Sequence, residues 1–99
     1  MIIAKVLGTV VATVKDPGFE GKKLIIVHAH VLKDNQLVPG NTMLVANDDL
    51  GAREGDIVAI SQGSSARLAP GMKNTASDAV VVALIDRIDA HGQILFKKD

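Results

Sequence analysis

The stretch Gly51-Ala52-Arg53-Glu54-Gly55-Asp56-Ile57-Val58-Ala59-Ile60 combines a glycine-punctuated turn with a short apolar strand. Gly51 and Gly55 tolerate backbone angles that a side chain forbids, so we expect them to bracket a tight turn. Residues 57–60 have no polar interruption, which is typical of a strand buried on both faces. The loop Ser61-Gln62-Gly63-Ser64-Ser65-Ala66-Arg67 follows, and its small residues let backbone approach another surface closely. We therefore expect this loop to lie at a junction between subunits.

The N-terminal segment has the period of a β-strand. From residue 2 to residue 14 the even positions are all apolar or glycine, whereas the odd positions mix apolar residues with lysine and threonine. This pattern predicts a strand whose even face lies in the core, with a bulge or bend at Gly8. Apolar side chains on the odd face are candidates for a subunit contact, or for cover by a loop of the same chain: Ile3, Leu7 and Val11.

Frequent turn signals divide the rest of the chain into short strands. We expect a strand at 23–32, a hairpin turn at 33–36 and a short edge segment at 37–38, which Pro39-Gly40 ends because proline cannot donate to a ladder. Further strands are predicted at 43–46, 57–62, 79–88 and 93–96. The inward positions of the second strand are Ile25, Val27, Ala29 and Val31. The whole pattern predicts one all-β domain over residues 1–99, a small barrel of five to six strands.

Composition favours association and excludes several classes of protein. The 99 residues are 47% hydrophobic with a mean hydropathy of +0.27, more apolar surface than so small a core readily hides, so we expect an oligomer. The net charge is zero and cysteine is absent, which argues against anionic membranes, disulfides and thiolate metal sites. The longest apolar run, residues 79–85, is too short for a membrane span, and Lys5 interrupts any signal-peptide pattern. We expect a soluble, unprocessed protein.

Catalytic and metal sites have weak support. Ser64 and Ser65 lack the Gly-x-Ser-x-Gly pattern of a nucleophile elbow, so a backbone-bonded turn is favoured over a hydrolase. His28 and His30 fall on one face of a strand and are weak candidates for a metal pair, which His91 completes only if the fold brings it near. The 51–55 turn lacks the lysine and serine of a phosphate loop. No cofactor is expected.

A single-stranded nucleic-acid or small-ligand binding module is the alternative in a different class, because small barrels often serve that purpose. Binding of single strands requires a basic groove and stacking aromatic side chains. Aromatic residues make up 2% of this chain and its net charge is zero. The composition therefore argues against nucleic acid as a partner.

Three separated motifs carry a resemblance to one family. The Gly-Ala-x-x-Gly-Asp turn, its strand and Gly63-Ser64-Ser65-Ala66-Arg67 resemble the pentameric vertex proteins of bacterial microcompartment shells, the carboxysome and ethanolamine-compartment vertex family. Ala4-Lys5-Val6-Leu7-Gly8-Thr9-Val10-Val11-Ala12-Thr13 is similar to that family's first strand. A late strand of that family is similar to the stretch Ser77-Asp78-Ala79-Val80-Val81-Val82-Ala83-Leu84-Ile85-Asp86. The motifs occur in the family's order over nearly the whole chain.

The resemblance implies a barrel like the oligonucleotide-binding fold (OB-fold) and a cyclic homopentamer without enzymatic activity. The pentamer would occupy the vertices of a cytoplasmic polyhedral shell whose faces are formed by hexameric shell proteins. Arg67 would form a forked pair with a carboxylate such as Asp48 or Asp78. Arg53 departs from the family pattern, which usually has glycine there. The residues that the resemblance places near subunit contacts or the central opening are Asp48, Gly51, Gly63, Ser64, Ser65, Ala66, Arg67 and Asp78.

Overall fold

A closed five-stranded β-barrel dominates the computed structural model, which describes residues 1–13, 23–62 and 79–99. The strands are β1 (Ile2–Val10), β2 (Leu24–Lys33), β3 (Gln36–Asn47), β4 (Ile57–Gln62), β5 (Ala79–Leu84), β6 (Arg87–Ala90) and β7 (Gln93–Lys97). The barrel order is β1-β2-β3-β5-β4, and β6 and β7 form a separate two-stranded sheet. This architecture confirms the predicted small all-β barrel resembling the OB-fold. No helix in the described ranges is long and apolar enough to cross a bilayer.

Alternating side chains of the barrel strands build the core. Ala4 and Val6 of β1 pack with Ile25 and Val27 of β2, all at most 2% exposed. β4 differs because Ile57, Val58, Ala59 and Ile60 are all buried, which confirms the prediction of a strand buried on both faces. Each fully buried valine or isoleucine side chain of this kind contributes roughly 1.5–3 kcal/mol relative to exposure. The core therefore lies inside the barrel, where Ala46 of β3 and Ala79 and Val81 of β5 complete the buried cluster.

A β-bulge interrupts β1 at the predicted place. The pairing with β2 shifts between Val6 and Gly8, so Gly8 lies opposite Ile26 and Thr9 lies opposite the buried Ile25. Opposite residues of an antiparallel pair share a face, and a shift of one residue exchanges the faces. By register the even positions face the core only as far as Val6, although Gly8 and Val10 remain less exposed than Leu7 and Thr9. β1 also ends at Val10, not at residue 14, which lies outside the described residues.

β2 and β3 continue beyond the barrel as a two-stranded ribbon. Asp34 and Asn35 both have positive φ, 53° and 59°, between the paired residues Lys33 and Gln36, which confirms the predicted hairpin turn. The predicted break at Pro39-Gly40 is wrong because β3 runs through it, but the pairing with β2 does shift there: His30 pairs with Pro39, and His28 pairs with Met43. The irregular pairing accommodates Pro39, which has no backbone N–H to donate, without ending the strand.

The outer part of the ribbon also corrects the predicted core. Val31 was expected on the inner face, but it is 50% exposed. The β1–β2 ladder reaches only as far as His30, so no third strand from residues 1–13, 23–62 or 79–99 pairs with β2 beyond it.

The C-terminal part contains two short strands where one long strand was expected at 79–88. β5 ends at Leu84, and β6 starts a new hairpin at Arg87. His91 and Gly92 form its turn with φ values of 53° and 73°, and the following strand confirms the one predicted at 93–96.

Candidate subunit interface

The outer surface of β1, β2 and β3 carries an apolar patch. Met43 and Val45 of β3 are 58% and 48% exposed, and Leu7 at the β1 bulge is 36% exposed. Val45 pairs with Ile26, which pairs in turn with Gly8, so the patch crosses three strands. We call Leu7, Ile26, Met43 and Val45 the barrel-face patch. An apolar patch of this kind on a soluble protein marks a surface suited to contact with another protein.

The three odd-face residues from the sequence occupy different surroundings. Ile3 is half-buried and pairs with His30 on one side and Ala59 on the other. Leu7 belongs to the barrel-face patch, whereas Val11 is 90% exposed and follows the end of β1. The bulge therefore breaks the continuous row that a regular strand would have formed. Their contact with a neighbouring subunit stays a prediction.

The side chains of His28 and His30 are each fixed by a backbone carbonyl. His28 Nε2 lies 2.8 Å from the carbonyl oxygen of Gly40, and His30 Nδ1 lies 2.9 Å from that of His28. Since a carbonyl only accepts, each ring donates an N–H there. The ring centroids are 5.6 Å apart at an interplanar angle of 70°.

Two imidazoles supply half of the ligands of a typical zinc site. His91 occupies the β6–β7 turn, and no group of three potential metal-ligating His, Cys, Asp or Glu side chains occurs in the described ranges. Lys5 pairs with His28 on the outer face and brings a positive charge that disfavours a cation there.

Asp48 anchors the corner between β3 and the 51–55 turn. Its carboxylate is 0% exposed and accepts hydrogen bonds from the backbone N–H groups of Leu50 at 2.9 Å and Ala52 at 2.7 Å. Lys23 Nζ lies 3.3 Å from Asp48 Oδ2 and donates to the Ala52 carbonyl at 2.7 Å. The pairing of Asp48 with Arg67 stays a prediction.

The glycine turn has the predicted backbone conformation. Gly51 and Gly55 have φ values of 83° and 92°, in the region that favours glycine. Asp56 Oδ2 accepts from Arg53 N–H at 2.9 Å, and Gly55 N–H donates to the Val6 carbonyl at 2.9 Å. Arg53 is absent from the described residues with positive φ, so the turn accepts it in place of the family's glycine. The contacts tie the turn to β1.

Asn47 was missed by the sequence reasoning. It is 1% exposed, and its side-chain amide has no hydrogen-bond partner among the described residues. It forms with Val80 the single β3–β5 pair that closes the barrel. An asparagine at the end of a predicted strand looks like a turn residue, so the pattern gave no signal of burial.

Several predicted contact residues lie outside the described ranges: Gly63, Ser64, Ser65, Ala66, Arg67 and Asp78. Their roles stay predictions. One further ion pair is well defined at the C-terminal hairpin, where Arg87 Nε donates to Asp89 at 2.8 Å. This hydrogen bond raises the pKa of Arg87, with the nearby carboxylate charge as the second cause. Both side chains are about half exposed, so the pair adds little to stability.

Known proteins match this chain over nearly its whole length. Residues 1–86 match the family model described as "Ethanolamine utilisation protein EutN/carboxysome". The bacterial microcompartment shell vertex protein GrpN of Rhodospirillum rubrum is 39% identical over 90% of this chain and 97% of its own. The carboxysome shell vertex protein CcmL of a Nostoc species is 39% identical over 99% and 95%.

Solved structures agree with these sequence matches. The Nostoc CcmL structure has a TM-score of 0.87, with 39% identity over 99% of this chain and 100% of that one. The R. rubrum GrpN structure, described as a pentameric microcompartment shell protein, has a TM-score of 0.79, with 38% identity over 91% and 99%. The chain therefore belongs to the EutN/CcmL family, whose named relatives are shell vertex proteins of bacterial microcompartments.

Proposed function

We propose that this chain is a non-enzymatic structural protein that assembles into a homopentamer and closes the vertices of a bacterial microcompartment shell in the cytoplasm. The observation that carries the proposal is the full-length match to shell vertex proteins, one of which is described as pentameric in its solved structure. The barrel-face patch supports it, because an exposed apolar surface on so small a domain needs a partner.

A ring of identical subunits requires a head-to-tail contact. Two different patches of each subunit meet, and the assembly closes when the rotation per subunit divides a full turn. The barrel-face patch is well placed as one of them, since it lies on the outside of three hydrogen-bonded strands. Such strands hold side chains in fixed positions, which favours one rotation angle over a range of angles.

The partners of the ring would be hexameric shell proteins. A sheet of hexamers alone is flat, and five-fold units inserted among six-fold ones give it closed curvature. In this role the protein has no substrate of its own, so neither a cofactor nor a catalytic residue is required. The proposal includes no nucleic acid or membrane as a partner.

Co-assembly with hexameric shell proteins tests this role. Hexamers that are expressed with the chain should form closed polyhedral particles in electron micrographs, and hexamers expressed alone should form sheets, tubes or open particles. The Leu7→Asp variant, which alters the barrel-face patch, serves as a matched negative control. Closed particles that form equally well without the chain would contradict the proposed function.

A further inference from the structure

The pairing of β2 with β3 contains a wide bulge at the point where the ribbon leaves the barrel. His28 pairs with Met43 and His30 pairs with Pro39, so Ala29 alone lies opposite residues 40–42 of β3. The extra residues of a bulge are left out of the ladder, and their backbone groups need other hydrogen-bond partners. The β1–β2 ladder also ends at His30. The bulge is therefore the joint between the barrel and the rest of the ribbon, residues 31–38.

The two histidines supply hydrogen-bond donors at this joint. His28 Nε2 lies 2.8 Å from the Gly40 carbonyl oxygen inside the bulge, and His30 Nδ1 lies 2.9 Å from the His28 carbonyl oxygen beside it. Both contacts are partly buried, where a carbonyl that loses its donor is not fully compensated by water. Because the ring of His28 donates in one bond and its carbonyl accepts in the other, the two bonds form one connected cluster.

The backbones of the two strands approach each other closely at the bulge. A Cβ atom on Gly40 would lie 3.2 Å from the Ala29 carbonyl oxygen, which is closer than ordinary van der Waals contact. It would also lie 3.6 Å from Cγ1 of Val31, the first residue beyond the joint. Only glycine permits this approach without a shift of the neighbouring atoms. A tight bulge of this kind fixes the register of the strands on both sides of it.

Carboxylates do not orient either ring within the described ranges. β3, which pairs with β2 on one side, contains no ionisable residue between Gln36 and Asn47. On the other side, β1 contributes one charged side chain, that of Lys5, which pairs with His28. An ammonium group only donates and cannot accept an imidazole N–H. The two backbone carbonyls are therefore the groups that orient the rings, which stand edge to face with centroids 5.6 Å apart.

We infer that His28 and His30 act as a latch, which holds the bulge and so fixes the direction in which the ribbon leaves the barrel. Because a carbonyl can only accept, the neutral ring of His28 carries its proton at Nε2 and the neutral ring of His30 carries its proton at Nδ1. The latch thus requires opposite tautomers in two histidines separated by one residue. It is a conformational device of the subunit and does not depend on the proposed function.

NMR spectroscopy of the full-length wild-type protein tests the tautomers directly. Long-range proton–nitrogen spectra at about pH 8, where histidine rings are ordinarily neutral, distinguish the two ring nitrogens. The His28 ring should show the Nε2–H pattern and the His30 ring the Nδ1–H pattern. His91, in the exposed β6–β7 turn, is the internal control and should show the averaged shifts of exchanging tautomers. The same tautomer in both rings, or averaged shifts in either, would overturn the latch.

Matched substitutions test what the latch holds. His28→Gln and His30→Asn each place an amide N–H near the ring nitrogen that they replace and should keep the latch, whereas His28→Leu and His30→Leu remove the donor. Loss of one such bond should raise the rate of backbone amide exchange in residues 31–38 roughly two- to tenfold, with β4 and β5 unchanged. If the leucine and amide variants exchange alike, or if β4 and β5 lose protection equally, the inference is wrong.

Discussion

The ammonium group of Lys23 and the carboxylate of Asp48 lie 3.3 Å apart, although the Asp48 side chain is fully buried and that of Lys23 is 41% exposed. Lys23 precedes β2, and Asp48 follows β3, so the pair joins these two strands at their ends opposite the hairpin turn of Asp34 and Asn35. The Asp48 N–H also donates to the Lys23 carbonyl at 2.9 Å. This corner fixes the start of the 51–55 turn relative to the barrel.

Replacement of Asp48 should therefore destabilise the folded subunit. Asp48→Ala leaves the buried N–H of Ala52 and the part-buried N–H of Leu50 without their acceptor, and we expect a loss of about 2–4 kcal/mol in the free energy of unfolding. Denaturant unfolding at fixed protein concentration measures the loss. Glu54→Ala changes an exposed carboxylate of the same turn and should stay within about 0.5 kcal/mol of wild type. Similar values for both variants would contradict the anchoring role.

Replacement of a glycine in the 51–55 turn should strain the backbone without a steric clash of the new side chain. An added Cβ at Gly55 meets nothing within 4 Å, but φ is 92°, so Gly55→Ala should cost about 1–2 kcal/mol. Gly8→Ala is the matched control, since its Cβ also meets nothing and its φ is not in the positive region. Thermal unfolding should separate the two variants. If Gly8→Ala proves as harmful as Gly55→Ala, strain at the turn is not the cause.

Although Asn47 is completely buried, we expect its replacement by an apolar residue to be tolerated. Its amide lacks a partner in the described part of the chain, so Asn47→Leu, which removes the polar group and keeps the same number of side-chain heavy atoms, should be neutral or stabilising by up to about 2 kcal/mol. Asn47→Asp places a charge at the same position and should be strongly destabilising. Chemical unfolding of both variants checks the difference. A loss above about 1 kcal/mol for Asn47→Leu would show that the amide has a partner.

A charged substitution in the barrel-face patch should weaken assembly of the ring without unfolding the subunit. Leu7→Asp introduces a charge on a 36% exposed side chain, so the barrel should stay folded while the ring dissociates to monomers. Size-exclusion chromatography and circular dichroism measure the two properties separately. Gln93→Asp, at an exposed position of the β6–β7 hairpin, is the control and should leave the elution volume unchanged. An unaltered ring for Leu7→Asp would remove this surface from the interface.

Local patterns predicted the barrel strands and turns, because each depends on nearby residues. The period of residues 2–6, the unbroken apolar run 57–60 and the turn glycines are all found as expected. The failures involve contacts that are distant in sequence. Only the extent of the β1–β2 ladder explains why Val31 is half exposed among the described residues, and the register shift past Gly8 places Thr9 opposite Ile25.

The candidate site was predictable only in part, for the same reason. Leu7 stood out as an apolar residue on an outward face, but Met43 and Val45 fell in a segment assumed to be an ordinary short strand. Their exposure follows from the position of β3 in the closed barrel, which no local period encodes. The predicted place of Asp48 near a subunit contact stays a prediction, and its two backbone donors come from the fold of the turn itself.

The mass of the native assembly tests the central claim most directly. Native mass spectrometry of the full-length protein at micromolar concentration should give one species at five times the chain mass of 10.4 kDa. Dilution should shift this species directly toward monomer, because a head-to-tail ring that loses one contact also loses the benefit of closure. A monomer at that concentration, or a dimer with two-fold symmetry, would contradict the ring and the vertex role that depends on it.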